Sequence, residues 1–393
     1  MSTATAVSLA AIFLAATLAP LASDRVARWV LVPSVVLEIL LGIVFGPALL
    51  GWVVDDDVVS ALSEIGLAFL MFLAGYELEF ARVKGEPLRT AALSWLVSLA
   101  LGVVAGLALA DAAGNSAAGL VVGLALTTTA LGTILPMLRD AGETGTPFGS
   151  RVLAVGSVGE FGPIVAIAFL LSGDRPWHVT ALLLAFAAVA ALAAVLATRP
   201  RHPVLARVLS ATLHSSAQLG VRISVLAVVG MLALATALGL DPVLGAFSAG
   251  IVVRLFLQAS EPEEVEEVMS RVESIGFGFF IPLFFVVSGV RFDLVSLVED
   301  PSRWLVVPLG LLLFLVVRGL PTLVAHRRLL PPPDRRALAL YAATALPLVV
   351  VITSIGVDSH DLSSATAAAL VAAGMLSVLV FPLVAGRVRA AAG

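Results

Sequence analysis

The amino-acid sequence predicts an all-α membrane protein with about thirteen transmembrane helices. Hydrophobic residues make up 60% of the 393 residues and charged residues only 13%, against about 25% charged residues in an ordinary soluble domain. The apolar residues form uninterrupted runs of about 20 residues, the length of helix needed to cross a hydrocarbon core roughly 30 Å thick. Ala, Leu, Val and Gly dominate these runs, without the alternation that is typical of a membrane β-barrel.

Proline, glycine and charged residues mark the ends of the apolar runs. The first run lacks a basic stretch before it and is followed by further runs, so we interpret it as a helix and not as a cleaved signal peptide. The predicted helices cover residues 5–22, 29–47, 58–79, 88–110, 116–138, 150–172, 178–197, 219–238, 242–258, 275–290, 303–325, 336–357 and 363–386.

These helices are expected to form a single transmembrane domain that contains two repeats and no C-terminal regulatory domain. A polar stretch rich in arginine separates the two halves and is expected to lie at the membrane interface. The parts of the domain, 1–393, are helix 1 at 5–22, a first repeat at about 29–172, a linking helix 7 with the interfacial segment at 178–218, helix 8 at about 219–238, and a second repeat at about 242–386.

The distribution of positive charge predicts the orientation of the chain. Most of the 23 Lys and Arg residues lie in loops after odd-numbered helices or at the C-terminus. Positively charged loops stay on the cytoplasmic side of a membrane. We therefore expect the N-terminus outside and the C-terminus in the cytoplasm of a multi-pass protein of the cell (inner) membrane, with the lipid bilayer as its surroundings.

The composition also excludes several classes of function. The chain has no cysteine, which rules out disulfides, thiol nucleophiles and iron–sulfur sites. Its basic residues do not form a patch with interleaved aromatic residues, so we expect no nucleic-acid partner. No nucleophile–base pair or metal-ligand cluster is visible, so the chain is predicted not to be an enzyme and to need no cofactor.

Two pairs of segments resemble each other across an offset of seven helices, and an odd offset inverts the topology. The segments 69–79 and 282–293 each contain an apolar run followed by glycine and alternating charges. The second pair is the threonine-rich 127–131 and the segment 344–347. This pattern is the weak signature of an inverted repeat.

The second pair of segments predicts two helices that are interrupted inside the membrane. The three threonines 127–129, followed by Gly132 and Pro136, form helix poorly, and Pro347 follows Thr344 by three residues. Unwound backbone at membrane depth survives only where it lines protein or a water-filled cavity. We expect the two interruptions to cross near the midplane and hold an ion. Alternatively, the threonines only bond to their own helix and the proline is a simple kink.

Glu160 is the outstanding ionisable residue of the predicted spans. It lies roughly ten residues into its helix, between Gly159 and Gly162. A carboxylate at this depth is costly unless it is protonated, paired or coordinated. A proton and a monovalent cation would therefore compete for it, which is the chemistry of an exchanger. The alternative is a carboxylate that only holds neighbouring helices together.

Two further charged residues lie inside predicted spans. Glu38 lies one turn before Gly42 in an apolar helix, and we favour a packing or gating role for it. Arg318 is the only base deep in any predicted span and needs a counter-charge or exposed carbonyl groups. Glu160 is its most plausible charge partner, and the alternative is a fixed structural tie across the two interrupted helices.

Several segments together resemble the monovalent cation/proton antiporter superfamily, in particular its Kef-type and sodium/proton exchanger branch. The resemblance extends over nearly the whole chain, and the order and spacing of the segments carry it. The segments are Leu37-Glu-Ile-Leu-Leu-Gly-Ile-Val-Phe-Gly-Pro47, Phe69-Leu-Met-Phe-Leu-Ala-Gly75, Leu244-Gly-Ala-Phe-Ser-Ala-Gly250 and Phe280-Ile-Pro-Leu-Phe-Phe285.

The resemblance implies a homodimer with a six-helix core that moves as an elevator around two crossed, discontinuous helices. The acidic ion-binding pair of the family maps to Gly159 and Glu160, so only the essential carboxylate is kept. The family's intramembrane base maps to Arg318, and its hydroxyl ligands map to Thr128 and Thr129. Ser157, one turn before Glu160, is a further candidate ligand.

Three functional hypotheses follow. The leading one is one-for-one, electroneutral exchange of Na⁺ or K⁺ for H⁺ through Glu160, since relatives with one acid in the pair tend to be electroneutral. A ligand-gated potassium efflux channel is the second, which would conduct without counter-transport. A transporter of an organic solute is the third, because half-helix N-termini can bind an anionic group.

Overall fold

The computed structural model describes residues 2–26, 32–77, 85–111, 115–170, 218–257, 262–299 and 305–390, with a few scattered positions between 177 and 192. Within these residues the regular secondary structure is helical and contains no strand. Nine of the described helical stretches are long and apolar enough to cross a membrane. The prediction of an all-α membrane protein is confirmed.

The described helices follow the predicted order along the chain. Two π-helical turns, Gly276–Phe280 and Leu315–Gly319, interrupt otherwise continuous helices. The helices are α1 (Thr3–Val26), α2 (Ser34–Phe45), α3 (Asp57–Glu77), α4 (Glu86–Asp111), α5 (Ser116–Ala125), α6 (Leu131–Asp140), α7 (Pro147–Leu170), α8 (Leu219–Ala237), α9 (Pro242–Leu257), α10 (Pro262–Ile275), α11 (Ile281–Val290), α12 (Leu294–Glu299), α13 (Val306–Phe314), α14 (Leu320–Ala325), α15 (Pro332–Ala343), α16 (Pro347–Asp358) and α17 (Ser364–Ala390).

Two of the predicted spans differ from the observed helices in a way that matters for the site. The span at 116–138 is two helices, α5 and α6, separated by non-helical residues 126–130. The span at 336–357 is likewise divided, with residues 344–346 between α15 and α16. The seventh span and the interfacial segment, 178–218, lie almost entirely outside the described residues, so the count of thirteen stays a prediction.

The chain divides into two compact units. The first unit contains Met1–Asp55, Phe80–Ala166 and Val286–Gly393, and the second contains Asp56–Glu79 and Ile167–Phe285. Both interruptions and every residue proposed for the ion site belong to the first unit. The chemistry of the site can therefore be described within that unit alone.

Glycine residues bring the backbones of neighbouring helices into direct contact in the first unit. A Cβ atom on Gly42 of α2 would lie 2.9 Å from Gly289 Cα of α11, and one on Gly106 of α4 would lie 2.9 Å from Gly123 N of α5. Small residues let membrane helices approach closely enough for van der Waals packing to hold them. Gly42 of the 37–47 motif therefore has a packing role.

The second unit uses the same device between α3 and α9. A Cβ atom on Gly75 would lie 2.9 Å from the carbonyl carbon of Phe247, and one on Gly250 would lie 2.6 Å from Tyr76 N. The rings of Phe69 and Phe280 stack with centroids 4.8 Å apart. Gly75 and Gly250 thus each contact the helix that carries the other.

Candidate ion-binding site

The two helix interruptions are joined by hydrogen bonds. Ala130 N donates to Thr344 O at 2.7 Å. Thr129 N donates to Gly159 O of α7 at 3.0 Å, and Thr129 Oγ1 donates to Ala342 O at 2.7 Å. Backbone groups that leave their own helix are therefore paired across the interruptions, as buried peptide groups must be.

The first interruption follows from its run of threonines. The hydroxyl groups of Thr127 and Thr128 donate to Leu124 O and Ala125 O, both at 2.8 Å, as the simple back-bonding interpretation expects. β-Branched residues with hydroxyl groups also offer the backbone alternatives to the helical hydrogen bond. The helix nevertheless ends at Ala125, so the threonines do more than bond along a continuous helix.

The second interruption is stabilised by a serine that the sequence did not single out. Ala345 N donates to Ser377 Oγ of α17 at 2.9 Å, and the same hydroxyl group contacts Gly374 O at 2.7 Å. Pro347 is the first residue of α16. A proline is tolerated there because the N–H groups of the first helical turn have no acceptor within the helix. The sequence signal that could have found Ser377 is a lone polar residue in the apolar middle of α17, between residues 367 and 386.

Glu160 binds the N-terminus of a half-helix. Its Oε1 accepts hydrogen bonds from Leu131 N at 2.9 Å and, less closely, from Gly132 N at 3.4 Å. These are the first two amide groups of α6, where the aligned peptide dipoles favour negative charge. Glu160 is partly buried, and its carboxylate lies at the end of the first interruption.

Arg318 lies in the π-helical turn and is fully buried. Its Nε donates to Thr129 Oγ1 at 3.0 Å and its Nη2 donates to Val155 O at 2.7 Å. Its Nη1 is buried without a hydrogen-bond partner among the described residues. The hydrogen bonds of the guanidinium thus go to the interruption and to the backbone of α7, and those of Glu160 go to α6.

The space beside Gly159 is too small for a side chain at that position. A Cβ atom at this position would overlap the side chain of Thr129 and would lie 2.8 Å from Nη2 of Arg318. The guanidinium and the threonine therefore fill the space that a side chain at 159 would need. The guanidinium of Arg318, although it comes from another helix, thus lies beside Gly159 where a side chain at that position would lie.

The structure brings Glu160, Thr129, Arg318 and Thr344 together at the interruptions. Thr128 lies in the first interruption and is buried. Among the described residues, the hydrogen bonds that join Glu160, Thr129, Arg318 and Thr344 to their neighbours do not involve the side chains of Ser157 or Glu38. Ser157 is buried on α7 and Glu38 is buried on α2, each 5% exposed. Sequence reasoning also missed three groups that contact or adjoin the site, which are Ser377, Thr322 and the Ala342 carbonyl.

Comparisons with known proteins agree on one family. The family model described as "Sodium/hydrogen exchanger, transmembrane" matches residues 13–388. A putative Na⁺/H⁺ antiporter of Bacillus subtilis is 27% identical over 96% of this chain and 62% of its own length. A Na⁺/H⁺ antiporter of Enterococcus hirae is 28% identical over 90% of this chain and 91% of its own length. The chain therefore spans less than two thirds of the Bacillus relative and most of the Enterococcus relative.

A solved structure supports the same fold. The sodium/proton antiporter MjNhaP1 of Methanocaldococcus jannaschii superimposes with a TM-score of 0.65, covering 98% of this chain and 96% of that chain at 15% identity. The fold is thus shared although the sequences have diverged, and the family model covers nearly the whole chain. The chain belongs to the transmembrane family of sodium/hydrogen exchangers, within the monovalent cation/proton antiporter superfamily.

Proposed function

We propose that this protein exchanges a monovalent cation, Na⁺ or K⁺, for H⁺ through the carboxylate of Glu160. The observation that carries the proposal is the hydrogen bonding of Glu160 to the first amide groups of α6, beside the contact between Ala130 and Thr344. A carboxylate there can hold either a proton or a cation. The Na⁺/H⁺ antiporters among the relatives support the same reaction.

The residues around Glu160 have separate roles in this proposal. Oxygen atoms of Thr128, Thr129 and Ser157 complete the cation site, since hydroxyl and carbonyl oxygens are the ligands that hard cations prefer. Arg318 compensates charge near the site. Because one carboxylate takes up either one proton or one cation, each cycle moves one of each in opposite directions, and the exchange is electroneutral.

The same proposal includes the arrangement of the whole protein in the membrane. Thr344 and Pro347 mark the second of two crossed, discontinuous helices within inverted repeats of a thirteen-helix domain. We further propose a homodimer, an elevator-type movement, an outside N-terminus and a cytoplasmic C-terminus in the inner membrane. Glu38, buried beside the α2–α11 contact, has a packing or gating role.

The decisive experiment is cation-induced proton flux in proteoliposomes loaded with a pH-sensitive dye. Wild-type protein is compared with Glu160→Gln, which keeps the shape of the side chain but removes the ionisable oxygen. Glu64→Gln is the matched control, because Glu64 is an exposed glutamate inside α3. Pulses of sodium, potassium and lithium then identify the cation.

We expect wild type and Glu64→Gln to dissipate a pH gradient and Glu160→Gln to lose at least about 100-fold in rate, the loss of a central acid–base group. Flux that persists in Glu160→Gln would remove Glu160 from its assigned role. Flux that is not coupled to protons in wild type would instead indicate a potassium channel on the same fold.

A second candidate function is transport of an organic solute with an anionic group. The buried Nη1 of Arg318, which has no partner among the described residues, and the N-terminus of α6 would both bind such a group. This alternative is favoured if no cation elicits proton flux from wild-type vesicles while Arg318→Gln changes uptake of a labelled carboxylate.

A further inference from the structure

A buried row of polar side chains leads away from the site along one helix face. Arg318, Thr322 and His326 are spaced four residues apart, and each has no exposed surface. Thr322 Oγ1 donates to Arg318 O at 3.0 Å, and His326 Nδ1 lies 2.9 Å from Thr322 O. Residues at this spacing lie on the same side of a helix. The row therefore connects Arg318 with the end of α14.

The facing helix α7 supplies a second set of polar groups. Arg318 bonds to Val155 O, and Arg151 lies one turn nearer the helix start. Arg151 forms an ion pair with Glu86 of α4, with Nη2 and Oε2 2.8 Å apart. The charges of Arg151, Glu86 and Arg318 all reach His326. Two positive charges and one negative charge thus act on the imidazole.

The remaining neighbouring helix adds charge only at the surface. From α15, Arg335 donates to the carbonyl oxygen of Arg327, the residue after His326, at 3.3 Å. Arg335 and Arg327 both lie at the helix ends that we propose to face the cytoplasm. Among the described residues, the charges that act on His326 are those of Arg151, Glu86 and Arg318.

The chemistry of His326 follows from its surroundings. Because Thr322 O can only accept a hydrogen bond, Nδ1 carries the proton of the neutral ring. Nε2 is buried without a partner among the described residues and is the atom that would take up a second proton. Burial is the largest effect and lowers the pKa of His326 below its ordinary value of 6.5. The hydrogen bond to Thr322 and the negative charge of Glu86 raise the pKa, and the positive charges of Arg151 and Arg318 lower it.

We propose that His326 sets part of the decline of exchange at acid pH through the positive charge of its protonated ring. The inference rests on the proposed exchange reaction. A protonated imidazole adds positive charge two helical turns from the site, about 12 Å along the helix axis. The added charge repels a cation from the site, so the KM for the cation on this face rises in acid.

The test measures the KM for the transported cation against the pH of the proposed cytoplasmic face, between about pH 5 and 8. Wild type is compared with His326→Gln, which cannot titrate, and with His326→Arg, which stays charged. His360→Asn is the control, because His360 is an exposed histidine with a positive φ of 62° that asparagine tolerates.

Wild type and His326→Gln should have equal KM values near pH 8, where the imidazole is neutral. Below the ordinary histidine value of 6.5, the KM of wild type and of His360→Asn should rise about three-fold more than that of His326→Gln, the effect of like charges at this separation in a partly screened environment. His326→Arg should have a raised KM at every pH. A merely structural role would not change the pH profile in this way.

A second measurement does not depend on transport or on a folded His326 variant. Deuterium exchange at the imidazole carbon, followed by mass spectrometry, reports the titration of His326 in the wild type. Its midpoint should lie below 6.5 and rise in Arg151→Gln, because a repelling charge is removed.

Three results would overturn the inference. The first is a His326→Gln profile that coincides with that of wild type, and the second is a His326 ring that does not titrate with a lowered midpoint. In both cases the proposed exchange stands if wild type exchanges ions. A wild type that exchanges no cation would overturn the proposed function, and this inference with it.

Discussion

At the scale of single residues, the site depends on the absence of a side chain at Gly159. The space beside Glu160 is filled by Thr129 and by the guanidinium of Arg318, which donates to Thr129 at 3.0 Å. A side chain at 159 and the present position of Arg318 are therefore mutually exclusive. The absence of a side chain at 159 and the buried guanidinium of Arg318 are two parts of one arrangement.

Gly159→Ala tests this arrangement. The added methyl group overlaps Thr129 and lies within 2.8 Å of Arg318, so we expect a loss of about 1–3 kcal/mol in stability from overpacking and a marked loss of exchange. Thermal unfolding in detergent and proton flux measure the two effects. Gly230→Ala is the control, since a Cβ atom there meets nothing within 4 Å in a similar helix. Equal behaviour of the two variants would contradict the assignment.

At the scale of helices, each interruption depends on a partner from a distant part of the chain. The first is held by Gly159 O and Ala342 O, and the second by Ser377. An unpaired peptide group inside a membrane costs several kcal/mol, so these partners fix where the helices end. The conformation of the interruptions is a property of the packed unit and not of the local sequence alone.

Ser377→Ala tests this dependence. It leaves Ala345 N without its acceptor, so we expect a loss of about 1–3 kcal/mol in stability together with reduced exchange. The control is Ser98→Ala, because Ser98 is equally buried but bonds only to Ser94 O of its own helix at 3.0 Å. A Ser377→Ala protein as stable and as active as Ser98→Ala would show that the second interruption does not need this bond.

The sequence predicted the described membrane helices and both interruptions, because apolar runs, threonine clusters and proline act over a few neighbouring residues. It did not predict the hydrogen-bond partners of those residues. A count of intramembrane charges gave no sign that Arg318 donates to Thr129 and Val155. Such a count also omits backbone amide groups, and two amide groups of α6 donate to Glu160; the charge pairing of Glu160 with Arg318 stays a prediction. Contacts between distant segments depend on packing, which local patterns do not specify.

At the scale of the molecule, one arginine near the end of the described chain ties several segments of the first unit together. Arg389 forms ion pairs with Glu143, which follows α6, and with Asp334 at the start of α15. Its guanidinium also lies 3.8 Å from the ring centroid of Phe148 on α7. A cavity of about 580 Å³ adjoins this cluster. Both half-helices α6 and α15 are thus anchored at the ends remote from their interruptions.

Arg389→Gln should therefore lower the thermal stability of the protein by several degrees. The loss of a networked, partly buried charge and of a cation–π contact is worth about 1–3 kcal/mol, and Arg389→Lys should restore part of it. Arg387→Gln is the control, because Arg387 is exposed in the same helical turn. Unfolding curves at low and high salt provide the measurement. An unfolding temperature for Arg389→Gln equal to that of Arg387→Gln would contradict the anchoring role.

The glycine contacts between α3 and α9 determine which positions of these helices tolerate substitution. At Gly75 and Gly250 the added carbon of even an alanine would lie closer to backbone atoms than real Cβ atoms come, and backbone cannot adopt another rotamer to make room. At exposed apolar positions such as Leu226 on α8, which is 70% exposed, we expect other apolar side chains to be tolerated. A deep mutational scan should therefore show that substitutions of Gly75 on α3 and of Gly250 on α9 are not tolerated, although neither residue carries a charge or belongs to the proposed ion site.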